Sequence, residues 1–107
     1  MDNLRIMLAC NAGLSTSLVV SRMQEYAASQ GKHYKIWAVD HESISLELGN
    51  FDVLLLGPQI RHMLRRITRE VGDQAVVDMI EPMSYGRCDG AAVVRQAEKL
   101  YENKKAK

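Results

Sequence analysis

The sequence predicts an α/β protein built on an open parallel sheet with helices on both faces, and three observations carry that prediction. Short apolar runs of strand length alternate along the chain with segments of helical period. The clearest runs are apolar without alternation, as strands covered on both faces must be. Gly and Pro then punctuate the junctions, at Gly31, Gly49, Gly57-Pro58 and Gly72. The chain has 107 residues, 47% of them hydrophobic and 25% charged. That composition excludes a disordered or fibrous chain, and the length suits one hydrophobic core.

Each element follows from its own pattern. Leu4-Arg5-Ile6-Met7-Leu8-Ala9 is the first strand. Ser15, Thr16 and Ser17 offer helix-capping oxygens. Val19, Met23, Tyr26 and Ala27 then recur at i, i+4, i+7 and i+8, a helical face that Gly31 can end. Tyr34-Lys35-Ile36-Trp37-Ala38-Val39 alternates and reads as a second strand nearer an edge. In residues 41–50, Ile44 and Leu48 permit a short helix before the Gly49-Asn50 turn. Phe51-Asp52-Val53-Leu54-Leu55-Leu56 is the third strand, stopped by Gly57-Pro58, and Pro58 suits the first turn of a helix. Ile60, Leu64, Ile67 and Val71 recur at i, i+4, i+7 and i+11 up to Gly72. Residues 75–80 form a fourth strand, residues 81–90 read as irregular, and Val93, Ala97 and Leu100 mark a final helix. The Lys104-Lys105-Ala106-Lys107 tail is expected to fray, which leaves residues 1–103 as one domain.

Charge narrows the function classes. Fourteen Lys and Arg against thirteen Asp and Glu leave a net charge of +1, which advertises no nucleic-acid partner. No wholly apolar run is longer than five residues (Val53-Leu54-Leu55-Leu56 is four), far below the roughly 20 residues of a membrane helix. The first residues have no basic stretch followed by an apolar run, so no signal peptide is expected and the location reads as cytoplasmic. Cys10 and Cys88 stand 78 positions apart. That spacing is neither a disulfide framework nor a metal-ligand pattern.

Parallel sheets bind ligands at the carboxyl ends of their strands, where the winding order reverses. The segments to read are therefore 10–17, 40–43, 57–59 and 81–90. In the first, Cys10-Asn11-Ala12-Gly13-Leu14-Ser15-Thr16-Ser17 puts a thiol at a strand end just ahead of a helix start. Unpaired N–H groups there bind anions and favour a thiolate. Gly13 lets successive amides converge, as an anion-binding nest requires. The loop carries no charged residue, so its anion would be held by neutral dipoles. The plainer alternative is a core cysteine followed by an ordinary Ser/Thr cap.

Other motifs are absent. The chain has no G-x-G-x-x-G, no G-x-x-x-x-G-K-[ST] and no C-x-x-C. A cysteine-dependent phosphatase would place an Arg where this chain has Thr16, and without that guanidinium the clamp on a transferring phosphoryl group is missing. Such a loop can hold a phosphoryl group and is poorly equipped to hydrolyse it, which is the profile of a relay.

These residues resemble a known family, the IIB components of the phosphoenolpyruvate-dependent sugar phosphotransferase system of the lactose/cellobiose/chitobiose class. The resemblance rests on Cys10 to Ser17, on Asp52-Val53-Leu54-Leu55-Leu56-Gly57-Pro58-Gln59, and on Tyr85-Gly86 with Asp89-Gly90. It implies a four-stranded parallel sheet, for which we expect the order 2-1-3-4, with an architecture like that of low-molecular-weight tyrosine phosphatases. It also implies a phosphocysteine at Cys10 and a phosphate-binding loop of Asn11, Ala12, Gly13, Leu14, Ser15, Thr16 and Ser17. The donor would be the phosphohistidine of a IIA partner. The acceptor would be a sugar held by the membrane IIC component, with which the domain would associate at the inner face of the membrane. No cofactor and no metal are implied.

Further residues have two readings each. Gln59 and Tyr85 can wall the site or simply pack. Leu14 can dock partners or rest on its own helix. Arg61, Arg65, Arg66 and Arg69 form a basic stripe, ordinarily a solvated face, with docking to an acidic partner as the alternative. His33, His41 and His62 read as surface residues, Cys88 as incidental, and Tyr34 and Trp37 as packing. The competing functions are a low-molecular-weight phosphatase-like hydrolase and a non-catalytic anion-binding regulatory module.

Overall fold

The computed structural model describes residues 3–11 and 14–105. Strand β1 (Arg5–Cys10) leads into α1 (Leu14–Ser29) and β2 (Lys35–Asp40). A 3-10 segment (His41–Glu47) then reaches β3 (Val53–Leu56), and a second one (Pro58–Met63) runs into α2 (Leu64–Val71). A 3-10 turn (Gly72–Gln74), β4 (Val76–Met79), the short α3 (Pro82–Gly86) and α4 (Gly90–Lys105) complete the chain. The four strands are parallel and lie in the order β2-β1-β3-β4. That is the expected order.

The central strands are the most apolar. Every residue of β3 is buried, and so are all but the first of β1, whereas the edge strands β2 and β4 are mostly half-buried. Strand side chains alternate between faces, so one sheet has two cores. Ile6 and Leu8 pack with Val19 and Met23 of α1 and Val93 and Ala97 of α4. Met7 and Ala9 pack on the other face with Ile44 of the first 3-10 segment and Ile67 and Val71 of α2. The two helices of the first face meet at Gly90, where a Cβ would stand 2.3 Å from the Arg22 carbonyl carbon and 2.5 Å from the Met23 nitrogen.

An ion pair ties the start of β1 to the residue before β3. The Arg5 guanidinium donates to both carboxylate oxygens of Asp52, at 2.9 and 3.2 Å, and the Arg5 backbone N–H donates at 2.9 Å. The Arg5 guanidinium holds the Asp52 carboxyl below its ordinary range, against an opposing effect of burial.

The structure departs from expectation in three segments. The helix expected from Pro58 to Gly72 is divided, because Ile60 (φ −117°, ψ 24°) leaves helical geometry and the first part is 3-10. Residues 81–90 contain α3, whose first turn is capped by Glu81, its carboxylate accepting from the N–H groups of Met83 and Ser84. The tail expected to fray from residue 104 is helical through Lys105, and Lys104 Nζ donates to the Asp73 carbonyl at 2.8 Å.

Candidate functional site

The carboxyl ends of the strands form a row. Cys10 ends β1 in register with Asp40, which ends β2. The next strand continues the row, with Gly57 N donating to the Ala9 carbonyl at 2.9 Å, and Ile80 N donating to the Leu56 carbonyl at 2.9 Å brings in the fourth. The row thus reads Asp40, Cys10, Gly57, Ile80. Cys10 follows Ile6 and Leu8 at period two, which places its side chain on the face covered by α1. It is only 2% exposed, and neither it nor Cys88 forms a disulfide.

Gly57 keeps space beside that thiol. A Cβ there would lie 3.3 Å from Cys10 Cβ and 2.8 Å from Gln59 Oε1. With no side chain at 57, the Gln59 amide folds back over the strand end. Its Nε2 donates to the Tyr85 hydroxyl at 3.1 Å. The same hydroxyl lies 3.5 Å from Thr16 Oγ1, a long contact in which either group can donate. Thr16 is fully buried in the first turn of α1.

The structure therefore brings together Cys10, Thr16, Gln59 and Tyr85 from four separate segments. Asn11 and Ser17 are exposed beside them. Ala12 and Gly13 lie outside the described residues, as do the side chains of Leu14 and Ser15, so the amide nest and both readings of Leu14 fall there too. Helix α1 begins at Leu14 and runs for 16 residues with no acidic residue in its first turn. No carboxylate of that turn offsets the partial positive charge at its start.

The remaining residues take definite places. Arg61, Arg65, Arg66 and Arg69 are exposed, and no carboxylate among the described residues lies within ion-pair distance of them. Cys88 is half-buried against the α1 and α4 core, at a left-handed φ of 52°. Tyr34 packs on that core and its hydroxyl donates to Glu98, which also pairs with Lys32. Trp37 is half-buried on the opposite face beneath Lys35 Nζ. His33 and His62 are exposed.

His41 differs from the surface role expected of it. Its Nδ1 is buried and stands 3.4 Å from Asp40 Oδ1, and with Glu42 the three residues bring ligand-type atoms within 4.8 Å of one another. Asp40 lies in the strand-end segment 40–43, where no local pattern marks it as a site residue. Only the strand register reveals that it neighbours Cys10.

Comparison with known proteins follows the same lines. A family profile described as "PTS system, Lactose/Cellobiose specific IIB subunit" matches residues 5–96. The oligo-beta-mannoside-specific EIIB component of Bacillus subtilis (strain 168) is 37% identical over 100 residues, covering 92% of this chain and 97% of the relative. The cellobiose-specific EIIB component of Lactococcus lactis subsp. lactis (strain IL1403) is 42% identical over 101 residues, covering 89% and 94%. The solution structure of a cellobiose-specific phosphotransferase IIB component from Borrelia burgdorferi superimposes with a TM-score of 0.79 at 32% identity, covering 95% and 94%. The lactose-specific IIB domain of Streptococcus pneumoniae reaches a TM-score of 0.82 at 14% identity, covering 92% and 98%, and shares the fold. Among the described residues, no helix is long and apolar enough to cross a membrane.

Proposed function

This chain belongs to the lactose/cellobiose-specific IIB family of the sugar phosphotransferase system and is a phosphoryl carrier in sugar uptake; on that premise we propose that Cys10 carries the phosphoryl group. One observation supports this above the others. The Cys10 thiol ends a central strand beside the side-chain-free Gly57, four residues before a helix of 16 residues begins. In the proposed reaction the thiol attacks the phosphorus of a IIA phosphohistidine. The N–P bond breaks, the S–P bond forms, and the thiol proton passes to the imidazole. A sugar hydroxyl then attacks the phosphorus, the S–P bond breaks, and a proton returns to the sulfur.

The phosphorylated thiol carries close to two negative charges. The amides of residues 11–17 and the start of α1 would solvate it, with Asn11, Ala12, Gly13, Leu14, Ser15, Thr16 and Ser17 as the binding loop. Gln59 and Tyr85 wall the site, joined to each other and to Thr16. Hydrolysis is disfavoured because Thr16 stands where a phosphatase would hold its Arg, and that position is buried and in contact with Tyr85. The partners are a IIA protein and the membrane IIC component at the inner face of the membrane. The sugar is of the cellobiose, chitobiose or lactose type and is selected within IIC. The cellobiose-specific relative supports that class, while the other relatives are named for galactose and oligo-beta-mannosides.

The test is incubation with phosphoenolpyruvate, the general phosphotransfer proteins and candidate IIA partners, followed by intact mass and peptide mapping. One added phosphoryl group on the peptide containing Cys10 is expected. Phosphate on any other residue, while the IIA partner is fully charged, would overturn the assignment.

A further inference from the structure

We propose that Asp40 sets the electrostatic potential at Cys10 and weakens the hold of that sulfur on the phosphoryl group, poising the domain to give the group up. The inference rests on the reading of Cys10 as the phosphoryl carrier and goes beyond it by naming a positioning residue on the neighbouring strand. Asp40 and Cys10 are register partners at the ends of two adjacent parallel strands. Such strands lie about 4.8 Å apart, and side chains at paired positions project from the same face. In the row Asp40, Cys10, Gly57, Ile80, the aspartate is the one charged residue. Residues 10–17 contain none.

The carboxylate is also held in place. Asp40 Oδ1 accepts from the Glu42 N–H at 2.9 Å and so caps the 3-10 segment that follows β2. Its side chain is about half exposed, and among the described residues the group able to carry positive charge within ion-pair distance of it is His41, at 3.4 Å. No Lys or Arg among the described residues pairs with it. Capping alone does not call for a charge here, since Asn and Ser cap as well as Asp. A carboxylate at this position therefore brings a negative charge beside a sulfur that must accept and release a group of two negative charges.

The sign follows from counting charge. Phosphoryl transfer from the IIA imidazole replaces a neutral thiol with an S-phosphoryl group, the N–P bond breaking and the thiol proton moving to the departing nitrogen. A fixed negative charge nearby disfavours that product and favours its onward transfer to a sugar hydroxyl. Across several ångströms at a partly solvated rim, removing one such charge is expected to move the equilibrium about three- to tenfold toward the phosphorylated form.

Two measurements test this, both in a Cys88→Ser background. The first compares alkylation of Cys10 by iodoacetate, an anion, with alkylation by iodoacetamide, which is neutral. The ratio of the two rates reports local potential and cancels differences in access and in thiolate fraction. Asp40→Asn keeps a capping side chain and is expected to raise the ratio about threefold at low salt, an effect that shrinks as salt screens it. Asp40→Glu, which keeps the charge, is expected to stay close to the parent ratio. An unchanged ratio in folded Asp40→Asn would overturn the proposal.

The second measurement is the equilibrium of phosphoryl exchange with the IIA partner. Asp40→Asn is expected to favour phosphorylated Cys10 about three- to tenfold. If the alkylation ratio rises and this equilibrium stays fixed, the claimed effect on phosphoryl affinity is wrong. If the ratio rises while no variant accepts a phosphoryl group on Cys10, the carrier assignment itself fails and the potential at the thiol stands.

Discussion

The Nε2 of Gln59 donates to the Tyr85 hydroxyl at 3.1 Å, tying the segment after β3 to the short helix after β4. Gln59 reaches that position because Gly57 has no side chain, and Tyr85 is presented by a helix of one turn that Glu81 caps. In the proposed site the two residues would act as one wall, joined to Thr16 through the Tyr85 hydroxyl.

The wall makes a prediction about coupling. Tyr85→Phe removes the acceptor of the Gln59 amide, and Gln59→Ala removes the donor. Each is expected to slow phosphoryl transfer while changing stability by about 1 kcal/mol or less. The double variant should be little slower than either single one, because both remove the same contact. Transfer rates for the three variants check this, and fully additive losses would show that the two residues act independently.

Cys10→Ser is expected to abolish phosphoryl transfer to sugar, whereas Cys88→Ser should support it normally. Cys88 is half-buried against the core ahead of α4, and its replacement removes no part of the proposed site. Sugar phosphorylation in a reconstituted system distinguishes them, and an active Cys10→Ser protein would contradict the carrier assignment.

Gly90→Ala should be among the most damaging conservative changes. The added methyl would stand 2.3 Å from Arg22 carbonyl carbon and 2.5 Å from Met23 nitrogen, backbone atoms that cannot rotate aside. Separating α1 from α4 is expected to cost about 3 kcal/mol, lowering the melting temperature by about 10–20 °C. Thermal denaturation measures it, and an unchanged melting temperature would refute the close packing of these helices.

Acid should release the clamp between Arg5 and Asp52. The folded carboxyl is held below its ordinary range by the Arg5 hydrogen bond first, while burial opposes. Its stabilisation is therefore complete above the unfolded-chain value of about 3.9 and is lost as pH falls through the lower folded value. Asp52→Asn is expected to cost about 1–2 kcal/mol at neutral pH and progressively less toward strong acid. Urea unfolding across that range provides the comparison, and a cost independent of pH would show that the charge is not what matters.

The alkaline limb has its own marker in Tyr34. Burial, and then the hydrogen bond to Glu98, push the phenol up to about 12. An unfolded tyrosine titrates near 10, so the stability held by the neutral phenol is present below about 10 and is lost as pH rises through about 12. Tyr34→Phe should flatten the fall in stability across that interval. An identical alkaline slope in both proteins would assign it to other groups.

Much of this protein is written locally. Val53-Leu54-Leu55-Leu56 reads as a central strand because burial on both faces leaves no place for polar residues. Edge strand β2 reads as alternating because it is buried less evenly. Gly31 and Gly72, with φ of 70° and 62°, end α1 and α2 where few other residues adopt that conformation cheaply. The loop after β1 is likewise legible as a pattern, residues 10–17 carrying no charge.

Other features depend on pairings through space that no local pattern encodes. The turn of α3 is too short to show periodicity, and the last turn of α4 is tied to the rest of the fold by Lys104 reaching the Asp73 carbonyl, 31 positions away. Thr16 and Tyr85 are 69 positions apart and meet only because β1 and β4 end on the same rim. Asp40 neighbours Cys10 through parallel register, which is set by how two strands bury their apolar faces together. Sequence by itself therefore determined the four strands and the main helical faces, because hydrophobic period and backbone permissiveness are properties of short segments. The company kept by that thiol was decided by tertiary structure, because strand order and register emerge only when the whole core is packed.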